Sequence, residues 1–156
     1  MLKWIAATAL FAFATALVLF ALTPARLLAA HVIFALGVLP LILAAMGFFV
    51  PVLTRSRAPE RVIRLLPVAA LGGGLLVVLH FAAPAALVRI DLVAAALLLV
   101  AALMLGWVVQ RARVAIGPAH PGLYWYAAAL ACLVLALPAI VLMPVLDGER
   151  ALLRNL

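Results

Sequence analysis

Histidine is the residue type in this chain best suited to chemistry, because so little else that is polar interrupts its apolar runs. There are three, His31, His80 and His120. Neutral imidazole is the commonest metal ligand, and an ionisable side chain within a membrane is a functional candidate by default. His31 follows Arg26 by five residues, and His80 precedes Arg89 by nine. If both arginines mark the same membrane edge, the two histidines lie ~7 Å and ~13 Å beneath it, at the helical rise of ~1.5 Å per residue. The ~6 Å mismatch is within the reach of helix tilt and offset. Two imidazoles at similar depth on adjacent antiparallel helices are what an axially ligated haem or a metal ion requires, and helical bundles build such sites from facing side chains. His120 lies in the turn Gly117-Pro118-Ala119-His120-Pro121-Gly122 at the opposite side and cannot join them.

The neighbours of the pair suit a flat apolar macrocycle. Phe20, Phe34 and Phe81 fall near the same end, and Gly72-Gly73-Gly74 removes side chains from the helix that carries His80. Each feature also has a plainer reading. His31 could be an interfacial ring among the headgroups, and His80 could be a packed histidine bonded to a neighbouring helix. The glycine triplet could serve close helix packing instead of a cofactor. His120 reads as a solvated loop residue, and Cys132 as a small hydrophobe within a span.

The elements that must position these residues follow from composition. The chain has 156 residues, 72% of them apolar or aromatic, with 11 basic and 4 acidic side chains. Its mean hydropathy is +1.44. A soluble domain is about 45–50% apolar and about 25% charged, so a soluble fold is excluded. Disorder is excluded with it, and one cysteine permits no disulfide framework. The basic excess, in a chain this apolar, reads as a topology signal and not as a nucleic-acid footprint.

A membrane helix needs roughly 20 apolar residues. Cutting at the charged clusters gives five such stretches within a single transmembrane domain spanning 1–156: Trp4–Leu22, Ala30–Leu53, Leu66–Leu87, Leu92–Val109 and Leu123–Leu146. The expected fold is all-α, a polytopic helix bundle. Lys3, Arg55, Arg57, Arg61, Arg64, Arg111 and Arg113 fall on one side of it, and Arg26, Arg89, Arg150 and Arg154 on the other. Seven against four places the N-terminus in the cytoplasm and the His31–His80 pair at the outer face. Trp4, Trp107, Tyr124, Trp125 and Tyr126 lie at the proposed cytoplasmic ends, where amphipathic rings prefer to sit. The first span is longer than a signal-peptide core and lacks a tidy cleavage site, so it reads as retained. The odd number of spans and the apolar rise at Leu152–Leu156 suggest one portion of a longer membrane protein.

Other chemistries find less support. Pro40, Pro51, Pro138 and Pro144 lie within spans, where each removes a backbone donor and kinks its helix. Kinked helices can line a transport path, but no span carries Asp, Glu, Lys or Arg near its middle, as a proton relay requires. Phosphate loops and nucleophile elbows are absent, and no catalytic residue is assigned.

The segment from His31 through Gly37, Pro40, Met46-Gly47 and Pro51 to Arg55 resembles the second helix of the haem–copper oxidase main subunit and its NnrS-type relatives. In that superfamily this helix begins at the outer face with a haem-ligating histidine a few residues before a glycine. The resemblance implies haem ligation for His31 alone. It is confined to these residues, and the superfamily's paired copper-site histidines have no counterpart here.

Together these residues point to an integral membrane protein of the bacterial inner membrane that binds haem b, or a metal such as copper, near the outer face. His31 and His80 would be the ligands, with Phe34 and Phe81 as pocket walls. The role would be redox, nitric-oxide response or haem and copper handling, without enzymatic turnover by this chain alone. The expected partners are the lipid bilayer and a second copy or another membrane subunit. The alternatives are a cofactor-free structural subunit or assembly factor, and a small transporter.

Overall fold

A computed structural model describes residues 2–22, 26–82, 88–115, 117 and 120–154. Five helices make up the fold: α1 (Leu2–Leu22), α2 (Arg26–Leu53), α3 (Arg61–Ala82), α4 (Ile90–Arg113) and α5 (Pro121–Arg154). The described residues contain no strand. The physical reason is that hydrocarbon offers no partner to backbone N–H and C=O groups, and a helix satisfies them within its own segment.

All five helices are long and apolar enough to cross a membrane, α5 over Pro121–Ala139. Several extend past the spans expected from sequence. The third begins at Arg61 instead of Leu66, the fourth runs on to Arg113, and the fifth starts at Pro121. Charge ends the hydrocarbon stretch but not the helix, because a long basic side chain can turn its head towards the interface while its backbone stays helical. The last five residues of the expected third span, 83–87, lie outside the described residues.

Contacts between opposite ends show that successive helices alternate in direction. His31 near the start of α2 meets Phe81 at the end of α3, and Glu60 beside the start of α3 reaches Arg111 at the end of α4. Each helix packs on its neighbour in sequence, and α2 also touches α4 and α5. The main core lies among α2 to α5 and is filled by Leu43, Met46, Val50, Leu66, Leu97, Met104, Leu123 and Leu130. α1 docks separately through Ile5, Ala9, Ala12 and Ala16, spaced so that they share one face, and all are buried. Small side chains there let the helices approach closely.

Large apolar side chains such as Phe11, Leu17, Leu65, Leu99 and Leu135 point outward from this core, each more than 55% exposed. Trp4, Tyr124 and Trp125 are exposed near helix starts, as amphipathic rings at an interface would be. Trp107 departs from that expectation. It sits near the end of α4, but its ring is buried in the core, and the Arg111 guanidinium lies 5.7 Å from its centroid.

α2 is not α-helical throughout. Arg26–His31 is α, Val32–Val38 is a π-helix, and Leu39–Leu53 returns to α. The Leu39 N–H bonds to the Phe34 carbonyl five residues back. In the same register the Ala35 carbonyl would take the N–H of residue 40, which is proline and has none. α3 meets this carbonyl. A side chain at Gly74 would collide with Ala35 O, so the glycine hydrogen in that position points at the oxygen, the geometry of a Cα–H···O contact. Next to it, a Cβ at Gly73 would come within 2.7 Å of Leu97 on α4, whereas one at Gly72 would meet open space.

Gly74 is therefore required for this helix packing, because it faces backbone, whereas Gly73 faces only the Leu97 side chain. Gly74→Ala is expected to destabilise the protein by about 1–3 kcal/mol through overpacking against backbone. Gly72→Ala should leave the midpoint unchanged or slightly raised. Thermal unfolding in detergent, followed by helical circular dichroism, distinguishes the two.

Candidate functional site: an imidazole at the end of an apolar cleft

His31 is the last α-helical residue before the π-segment. Its Nδ1 lies 2.8 Å from the Leu27 carbonyl oxygen, one turn back. A carbonyl can only accept, so Nδ1 carries the proton and donates it. In the neutral imidazole Nε2 is then left as the acceptor. A backbone carbonyl holding one ring nitrogen is the arrangement that orients a metal-ligating histidine and raises the basicity of its other nitrogen. π-Turns occur disproportionately at functional sites, and here one begins at the residue after the candidate ligand.

Phe81, at the end of α3, lies against the His31 ring with centroids 4.0 Å apart and planes tilted by 31°. Both line a cavity of about 230 Å³ whose other walls are Val77, Ile90, Ala94, Leu97 and Leu137. His31 is the only polar side chain among these. A second cavity of about 360 Å³ shares Val77, Leu97 and Leu137 and continues past Phe34, Ala35 and Leu43 to Met46. Binding pockets for small molecules typically measure about 300–1,000 Å³ and are mostly apolar with few polar groups. The two adjoining cavities form such a cleft between α2, α3, α4 and α5, with the imidazole towards one end.

His80 is brought to the same end. Its ring meets Phe81 edge-on at 5.2 Å, so Phe81 contacts both imidazoles. The His80 Nδ1 is buried and has no hydrogen-bond partner, an expensive state for a polar atom. His80 is not among the residues that line the His31 cavity. Of the four residues expected at the site, His31 and Phe81 share one cavity, Phe34 lines the adjoining one, and His80, next to Phe81 in sequence, lines neither. Phe34 is 64% exposed and serves as a rim more than a wall.

Phe20, expected in the same cluster, is also exposed, and the Arg26 guanidinium lies 5.7 Å from its centroid. His120 is at the other end of the bundle, where its Nδ1 accepts the Gly122 N–H at 3.1 Å and helps open α5. Among the described residues no group of three or more His, Cys, Asp and Glu side chains comes together. Within the cavity His31 is the one imidazole, and His80 lies outside its lining.

The residues that complete the cleft carry no sequence signal of their own. Val77, Leu97 and Leu137 are aliphatic residues among many, and their role comes from facing one another. Leu27 had a partial signal, since it precedes His31 by one turn and its carbonyl is within reach of that side chain. Near the same membrane edge, Arg89 donates to both oxygens of Asp91, at 3.0 and 2.6 Å. That hydrogen-bonded pair holds the guanidinium above its ordinary pKa and places a carboxylate in the first turn of α4, where the helix dipole favours it.

The chain matches no known protein family, curated protein or solved structure. What the fold and the cleft define is a class: an integral membrane protein, a five-helix bundle whose apolar outer surface is suited to lipid.

The hydrogen-bond geometry predicts opposite tautomers for two histidines. In ¹⁵N-labelled protein, His31 should show a protonated Nδ1 and a bare Nε2, and His120 the reverse. A His31 spectrum with Nε2 protonated would overturn the assignment.

Proposed function

We propose that the protein binds haem b, or a metal such as copper, near the outer membrane face, with His31 as the axial ligand. The observation that carries this reading is the His31 side chain itself, whose Nδ1 is committed to the Leu27 carbonyl and whose Nε2 is left as acceptor, at the end of a cleft otherwise apolar. Phe81 and Phe34 would flank the group. His80 is the second candidate ligand, supported by its buried, unpartnered Nδ1 and its position at the same end. A haem in this place would supply one-electron chemistry or a site for a diatomic gas. The chain's own contribution is to orient one imidazole and to keep water from it with Val77, Leu97 and Leu137.

The proposed role is redox, nitric-oxide response or haem and copper handling. It rests also on the likeness of His31–Arg55 to the second helix of haem–copper and NnrS-type proteins. The basic residues favour an orientation with the N-terminus in the cytoplasm and His31 outside, in a bacterial plasma membrane. A second copy or another subunit would complete the ligand set if His80 does not.

Protein purified in mild detergent from haem-replete cells should show a Soret band. His31→Ala should abolish the band, while His120→Ala should leave it intact. His80→Ala should convert a six-coordinate low-spin spectrum to a high-spin one. A colourless, metal-free preparation of folded protein would remove the cofactor reading and leave a structural subunit or assembly factor in its place.

A further inference from the structure

The end of the bundle remote from His31 has an excess of positive charge that the protein does not neutralise. It gathers Lys3, Arg55, Arg57, Arg61, Arg64, Arg111 and Arg113, with Glu60 as the one carboxylate. Glu60 reaches Arg111 at 3.7 Å. Among the described residues Arg113 has no carboxylate partner, and it is exposed at the last turn of α4. The excess has to be balanced from outside the chain, and at a membrane edge the anions available in quantity are lipid phosphates.

A cavity of about 260 Å³ opens beside this arginine, between α4 and α5. Its walls are Val109, Ala112 and Ala127 over a floor of the buried Val108 and Leu123, while Arg113 and the exposed Tyr124 supply its polar groups. An apolar throat beneath a cation and a hydroxyl donor has the chemistry of a phospholipid: hydrocarbon below, phosphate above. Water offers nothing comparable to the throat, and a soluble anion would leave it unfilled.

We propose that this cleft binds one anionic phospholipid. Its headgroup phosphate is held by the Arg113 guanidinium and the Tyr124 hydroxyl, and the upper part of one acyl chain lies along Val109, Ala112 and Ala127. The guanidinium suits the role because its planar fork pairs two donors with phosphate oxygens. The lipid would join the ends of α4 and α5 at the loop between them. The site is independent of the histidine cleft and stands or falls without it.

The test is native mass spectrometry of the full chain in dodecyl maltoside, titrated with phosphatidylglycerol or with phosphatidylcholine of the same acyl chains. The first phosphatidylglycerol should bind roughly fivefold more tightly than the first phosphatidylcholine, the effect of one well-placed cation at a membrane surface. Arg113→Gln should erase that preference, and Tyr124→Phe should weaken it. Arg57→Gln, which lies outside the cleft, should retain it. Inorganic phosphate should not displace the lipid. Equal binding of the two lipids, a preference that survives Arg113→Gln, or complete displacement by phosphate alone would each overturn the proposal.

Discussion

The approach of α3 to the π-segment of α2 at Gly74 and Ala35 sets the relation of the two helices that carry the histidines. No side chain fits between the Gly74 backbone and the Ala35 carbonyl. The helices are therefore locked together at a separation that a larger residue would forbid. Because they are antiparallel, one turn along α2 from Ala35 leads to His31, and two turns along α3 from Gly74 lead to Phe81. The stacking of those rings at 4.0 Å follows from the register of the glycine contact. Gly73, beside it, admits Leu97 of α4, and Leu97 in turn walls both halves of the cleft.

The same contact answers a difficulty created by proline. Pro40 withholds a donor from α2, and an unpaired carbonyl is costly where no water can reach it. The widened π-turns move the affected carbonyl to Ala35, where α3 offers a Cα–H in place of a backbone N–H. A kink was the response expected of a proline in a span. A π-segment with a glycine against it is another, and it places the irregular backbone next to the candidate ligand. Irregular backbone at membrane depth is tolerated where protein buries it, and Gly37 and Val32 in this segment are buried under α1.

Parts of this arrangement were legible in the residues alone. The helical rise, counted from Arg26 and Arg89, was enough to bring His31 and His80 to one end and to leave His120 at the other. The glycine triplet was legible as an option between packing and a cofactor gap, and for Gly73 and Gly74 the structure shows packing. Trp107 shows why side-chain direction is harder to read than depth. Its place in α4 was clear, but a tryptophan near a helix end can face lipid or core, and neighbours from the other helices decide which. The start of α3 is hard to read for a related reason: Arg61 and Arg64 interrupt an apolar run without interrupting the helix.

Composition and periodic spacing by themselves determined that the chain is helical, that five stretches can cross a membrane, and which ends share a side. These depend on hydrocarbon thickness and on the rise per residue, both local or one-dimensional quantities. The tertiary structure alone decided that Phe81 and not His80 lies against the His31 ring, that Val77, Leu97 and Leu137 close the cleft, and that Ala35 meets Gly74. Each of these depends on how one helix is rotated about its axis relative to the next. In a chain where nearly every face is apolar, no polar stripe marks that rotation, and only close packing between particular small and large side chains sets it.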